Sequence, residues 1–278
     1  MSRPVDVLLE FLEAEQARGV THVHLDEGAR EVLRGVFNSA KAKQASQLRQ
    51  EPESPPETPV ASATLVIEGA TRAEQLASLR RQAENWAPAK SLGSLRETLV
   101  FSAGNPEARV MLVGEAPGYQ EEREREPFVG PAGQKLNDIL KAMGLSREEV
   151  YLSNIVKFRP STPKQTTNNR KPTADEIAAC LPFIRAEIGI LRPACIVALG
   201  ETAAEGLLGI TGTVASMRNA WHDFEGTPLR VTYHPSYLLQ TGDGHQTKRQ
   251  VWEDMLAVME KLDLQISAKQ RGFFLPKP

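Results

Sequence analysis

Apolar residues in the first part of the chain recur at helical spacing. Val5, Leu8, Leu9 and Leu12 share one helical face, with Glu10 and Glu13 on another. Asp26 is placed to cap a second helix carrying Val32, Leu33, Val36 and Phe37. Residues 1–49 therefore read as a mainly helical N-terminal extension. The period lapses in QEPESPPETPVASA (50–63), which is rich in proline and glutamate and has little to bury. Residues 50–70 are expected to be a flexible linker. TRAEQLASLRRQAENW (71–86) restores an amphipathic pattern and predicts a connecting helix over 71–87.

From residue 88 the texture changes. Continuous apolar runs of strand length alternate with amphipathic stretches. RVMLVG (109–114), VYLSNIVKF (150–158), ACIVALG (194–200) and LRVTYHP (229–235) read as strands. GQKLNDILKAMGL (133–145), DEIAACLPFIRAEIGIL (175–191), ETAAEGLLG (201–209) and QVWEDMLAVMEKL (250–262) read as helices. Apolar strands separated by helices imply a parallel sheet covered on both faces. The expected fold class is α/β, a three-layer α/β/α domain over 88–265 with a central, mostly parallel four-stranded sheet, followed by a tail over 266–278.

Composition adds limits. The chain has 278 residues, 41% hydrophobic and 24% charged, ordinary proportions for a globular protein. No apolar run reaches the roughly 18 residues of a membrane span, and the acidic N-terminus is unlike a secretory signal. The two cysteines, Cys180 and Cys195, form no CxxC pair, which argues against a disulfide framework and for a reducing cytoplasm. The net charge of −2 gives no global sign of a nucleic-acid partner, so any DNA contact rests on a local patch.

Right-handed crossovers bring the carboxyl ends of all four strands to one edge, where open α/β sheets bind ligands. That edge receives GEAPG (114–118), Asn154, LGE (199–201) and HPSYLL (234–239). Gly114 and Gly118 allow a sharp bend, Pro117 stiffens it, and the remaining amides can converge on an electron-rich atom. Glu115 and Glu121 supply carboxylates, Phe128 an aromatic face, Asn154 a carboxamide and His234 an imidazole. An aromatic that stacks, an amide that reads an edge and a histidine that supports charge on oxygen suit a flat heterocycle. Taken singly, each has an ordinary structural role as turn, core ring, strand cap or packed histidine. The set, in this order, favours function.

GEAPG, PFVGPAG, SNIVKFRP, NNRKP and YHPSYLL resemble the motifs of family 4 uracil-DNA glycosylases over roughly residues 99–262; residues 1–87 carry no such motif. The resemblance implies a monofunctional enzyme that flips deoxyuridine from DNA, single- or double-stranded, and hydrolyses its N-glycosidic bond in base excision repair. By that resemblance Phe128 stacks on uracil, Asn154 pairs with its N3–O4 edge, Glu121 fills the space beside C5, and His234 donates to O2. Gly114, Ala116 and Gly118 belong to the uracil-binding turn. Ala116 stands where the family 1 turn has an aspartate, which leaves Glu115 as the nearest carboxylate. Asn169 falls on a further functional position. Ser236, Leu238, Arg170 and Lys157 are expected to meet DNA, with Leu238 as a wedge. Arg159, Lys164, Lys171 and Arg218 complete the expected basic patch.

Three departures stand out. The family carries a 4Fe–4S cluster on cysteines, yet here no cysteine precedes Cys180 and Phe158 occupies another ligand position. The expectation is no metal and no cofactor. The segment PSTPKQTTNNRKP (160–172) is longer than its family counterpart, and Gln240 stands where an arginine is common. Two alternatives stay open: a catalytically weak module for uracil-bearing or abasic DNA, with a protein partner on residues 1–87, and a glycosylase for another deaminated base. No membrane role is expected; in a bacterium the setting would be cytoplasmic, at the nucleoid.

Overall fold

A computed structural model describes residues 65–240 and 244–275. The helices expected in 1–49 and most of the 50–70 linker lie outside the described residues. No helix among the described residues is long and apolar enough to cross a membrane.

The six-stranded sheet has the order β2-β4-β3-β6-β8-β7, formed by β2 (Ser102–Gly104), β3 (Val110–Gly114), β4 (Tyr151–Asn154), β6 (Cys195–Leu199), β7 (Trp221–Phe224) and β8 (Thr227–Thr232). The central four are mutually parallel, and β2 and β7 close the edges antiparallel. The four predicted strands are thus the parallel core, widened by two short edge strands. These lack the continuous apolar run that marks a strand buried on both faces. The expected strand over 150–158 is two strands. β4 stops at Asn154, and β5 (Phe158–Pro160) leaves to pair antiparallel with β1 (Leu95–Leu99).

Alternation along the strands divides the core in two. Met111 and Val113 of β3, with Ile196 and Ala198 of β6, face α1 (Arg72–Glu84), α5 (Ala174–Leu191) and α6 (Glu201–Leu208). Val110, Leu112, Cys195, Val197 and Leu199 face α4 (Pro131–Met143) and α9 (His245–Lys261). Leu76, Leu79 and Ala83 bind α1 into the first core. Thr71 caps α1 in a reciprocal box with Glu74. The helix at 71–87 is therefore part of the body. α2 (Ala87–Lys90) continues that layer, and Trp86, just before it, donates its indole N–H to the Ala179 carbonyl at 2.7 Å. At the other end Trp252 of α9 packs in a tilted arrangement against Phe273, beyond α10 (Ala268–Arg271).

Several charges lie inside. Lys157 and Glu187 are both fully buried and paired at 2.6 Å, with Ser153 and Tyr151 supplying further hydrogen bonds. Asp254 joins Arg218 at 3.1 Å and Arg230 at 2.8 Å. Removing one member of a buried pair strands its partner at about 3–5 kcal/mol, whereas an exposed pair contributes at most ~1 kcal/mol. Glu187→Ala is therefore expected to lower the free energy of urea unfolding by about 3–5 kcal/mol. Arg185→Ala, which breaks the half-exposed pair with Glu225, should stay within ~1 kcal/mol. Equal losses in the two variants would contradict the assigned burial.

Candidate active site

The parallel register places Gly114 directly beside Asn154. A Cβ at Gly114 would lie 2.4 Å from Asn154 Oδ1 and 2.5 Å from Phe128 Cζ. Only glycine leaves room for the amide and the ring to meet over the strand end. Both side chains are buried, at 3% and 5% exposure. Phe128 adopts φ +57°, uncommon for an aromatic residue. Arg147 holds this conformation: it donates to the carbonyls of Pro127 and Phe128, each at 2.9 Å, and pairs with Glu126 at 2.8 Å.

His234 enters from the end of β8. Gly200, at φ +94°, turns the chain after β6 and would carry a Cβ only 3.0 Å from that of His234. The Phe128 and His234 rings lie 6.2 Å apart between centroids, tilted by 31°. The Ser236 backbone N–H donates to His234 Nδ1 at 3.2 Å, and the Ser236 hydroxyl lies 2.7 Å from the same atom. A nitrogen that accepts from a backbone amide carries no proton, so the proton of the neutral ring sits on Nε2. Desolvation lowers the imidazole pKa to about 4. The ring is neutral at physiological pH and its free N–H is a donor.

Phe128, Asn154 and His234 face one cleft of about 640 Å³, with Glu115, Ala116 and Gly118 on its wall. Glu121, Asn169, Arg170 and Ser236 line the same space. Glu115 is raised above the usual carboxylate range by burial, opposed by a 2.7 Å hydrogen bond from the Thr202 hydroxyl. Glu121 accepts from the amides of Gly118 at 3.1 Å and Gly130 at 2.8 Å, tying the GEAPG turn to the Phe128 loop. It thereby caps α3 (Tyr119–Glu124) and occupies the Gly118 amide that the sequence reading left free.

Six of the expected DNA contacts are corrected or constrained. Lys157 is fully buried against Glu187, and Arg159 and Arg218 are 1% and 8% exposed, so none forms part of a surface patch. Each needed a carboxylate partner to be buried, and that partner lies far away in sequence. Arg170 spends every guanidinium N–H on Glu176, Ser94, Ser161 and Lys171. It anchors its loop and has no donor left for phosphate. Leu238 is 8% exposed, because the short helix α8 (Pro235–Gln240) packs it into the second core; Tyr237 and Leu239 are the exposed residues there, at 42% and 47%. Ser236 already directs its hydroxyl at His234. Lys164 and Lys171 remain exposed, Lys171 within 3.2 Å of Glu201.

Sequence reasoning missed Arg147 and Thr202. Thr202 directly follows LGE at a strand end already placed on the rim, which was a usable signal. Arg147 lies in a capping segment and had none.

The family model described as the uracil DNA glycosylase superfamily matches residues 101–256. A type-4 uracil-DNA glycosylase of Thermotoga maritima is 40% identical over 162 residues, 58% of this chain and 81% of the relative. One from Pyrobaculum aerophilum is 38% identical over 160 residues, covering 54% and 77%. A type-5 uracil-DNA glycosylase of the same organism is 34% identical over 152 residues, covering 49% and 64%.

The His234 pKa sets a sign that can be checked. Its folded value lies below the unfolded value near 6.5, so the unfolded chain takes up the proton first. The associated stability is complete above about 6.5 and is lost as pH falls towards about 4. In a ¹⁵N NMR titration the His234 imidazole should stay neutral, protonated on Nε2, down to about pH 4. A midpoint at the ordinary histidine value would contradict this.

With these matches spanning the strands and loops that build the cleft, the chain belongs to the uracil-DNA glycosylase superfamily, and is by that membership a hydrolase of N-glycosidic bonds.

Proposed function

We propose that the protein excises uracil from DNA by binding the flipped base between Phe128, Asn154 and His234. The observation that carries this reading is the convergence of the three side chains on one cleft, with Asn154 and Phe128 closely packed over Gly114. Phe128 offers a face for stacking. The Asn154 carboxamide accepts from N3–H and donates to O4; cytosine reverses that pattern and would leave buried groups unpaired. Glu121, fixed by two backbone amides, borders the region assigned to C5 and restricts the space for a methyl group.

Breaking the C1′–N1 bond leaves positive charge on the sugar and negative charge on the pyrimidine. Catalysis follows from stabilising that anion more in the transition state than in the bound substrate. The neutral His234 points its Nε2–H at O2. The amides of Glu115 and Ala116 are the turn's contribution to the same oxygen. A neutral donor suits this task, because it strengthens its bond as charge develops and needs no counter-charge in the desolvated site. Glu115 is held near the sugar side by Thr202, where a carboxylate favours an oxocarbenium-like centre. Lys164 and Lys171 supply charge for the DNA backbone.

The cluster implied by the family does not fit these residues. The chain has two cysteines, and they lie in different cores on opposite sheet faces. A cluster needs four ligands. Burial pushes the Cys180 thiol up to about 11, away from the thiolate a ligand must be. Trp86, Phe158 and Phe183 fill the same core as Cys180. Trp86 and Phe183 pack edge-to-face at 4.9 Å. Apolar packing, in this reading, takes the structural part of the cluster.

Single-turnover assays on a uracil-bearing oligonucleotide should show release, with iron well below stoichiometric in the purified protein. Asn154→Asp and His234→Ala should each slow release by roughly 10²–10³-fold, the range for a lost transition-state donor. Unchanged rates in both variants, or one cluster's worth of iron per chain, would overturn the respective assignment.

A further inference from the structure

Arg159 is 1% exposed, yet it lies beside an exposed segment. Its Nε–H donates to Asn169 Oδ1 at 3.0 Å. One terminal nitrogen reaches Glu122 at 3.0 Å; the other donates to the carbonyls of Thr166 at 2.9 Å and Asn168 at 2.6 Å. The Tyr119 ring lies 5.5 Å from the guanidinium carbon. One buried cation thus joins α3, which begins at the GEAPG turn, to the lengthened 160–172 segment.

The bond to Asn169 determines more than position. Arginine has only donors, so the amide atom facing Nε must be the oxygen. The NH₂ group then points the other way. A Cβ at Gly118 would lie 3.1 Å from Asn169 Nδ2 and 2.7 Å from Glu121 Oε2. Asn169 therefore presents N–H donors to the cleft, next to a carboxylate, with its carbonyl oxygen turned away.

We infer that Arg159 is a positioning residue for uracil release, fixing Asn169 so that its NH₂ group donates to an oxygen of the flipped nucleotide. A water-activating role for Asn169 would require the opposite orientation, since only its oxygen can accept. The lengthened segment contributes by bringing the Thr166 and Asn168 carbonyls to the same guanidinium, which leaves Arg159 little freedom to release Asn169. The oxygen belongs to a backbone phosphate or to a uracil carbonyl; both ask for the same donor. This inference rests on the uracil-excision reading.

The test uses the full chain, single-turnover rates, and a uracil-bearing oligonucleotide with and without a methylphosphonate beside the uracil. Asn169→Asp keeps shape but replaces the donor with an acceptor. It should lower release by roughly 10–100-fold, the range for one hydrogen bond to a charged group. Arg159→Lys retains the charge but not the fork of donors. It should slow release about as much as Asn169→Ala, and the double variant should lose no more than either alone. A phosphate partner would make Asn169→Ala insensitive to a neutral methylphosphonate at the contacted linkage, a substitution that slows the wild type by a similar factor. A carbonyl partner would leave Asn169→Ala as sensitive to the methylphosphonate as the wild type. Wild-type rates in Asn169→Asp or Asn169→Ala, or losses that multiply in the double variant, would overturn the inference while wild-type release keeps the excision reading intact. Should Arg159→Lys fail to fold by circular dichroism, Asn169→Asp decides by itself, since its side chain is exposed.

Discussion

Gly114 and Asn154 stand side by side in a parallel ladder, and no side chain fits between them. The rest of the site depends on this contact. A parallel sheet ends its strands at a common edge, so the residue after each apolar run points to the same space. β3 gives that space a bare backbone, β4 an amide, β6 a glycine turn and β8 a histidine. Phe128 can close over Gly114 only because the strand end lacks a Cβ. Its unusual backbone conformation is then held by Arg147 and by Glu121, which bonds the amides of both adjoining turns. The site is thus built from loops pinned by donors and acceptors within the sheet's own frame.

The electrostatics follow from the same enclosure. Low polarity disfavours a charged imidazole, and Ser236 fixes which nitrogen carries the proton. In the proposed reaction a neutral donor supports the anionic leaving group without adding a buried charge to the free site. The same desolvation that keeps His234 neutral also raises Glu115, and Thr202 offsets this in part. Lys157 with Glu187 and Asp254 with two arginines show how far the fold carries charges inward when each meets a partner. Those pairs are buried and add no charge to the surface.

The parallel core was legible in the sequence because its strands are buried on both faces and therefore continuously apolar. β2 and β7 were not legible, since an edge strand has neither that run nor a regular alternation. The motif residues were legible as a set, on a resemblance backed by the geometry of strand ends. What sequence could not show was the partner of each charge. Lys157, Arg159 and Arg170 look alike as basic residues beside a DNA-binding rim, and each is consumed by acceptors tens of residues away or by a nearby loop. Leu238 and Leu239 likewise differ by one position, and only packing decides which is covered. Residues 71–87 were set apart as a connecting helix, although the apolar face carrying Leu76, Leu79 and Ala83 is covered by the core it joins.

The central claim concerns where a pyrimidine sits. A crystal structure of the protein with uracil bound would test it most directly. The account predicts the ring stacked on Phe128, its N3–O4 edge against the Asn154 amide and O2 within hydrogen-bond reach of His234 Nε2. Uracil bound elsewhere, or in the cleft with its O2 turned away from His234, would contradict it.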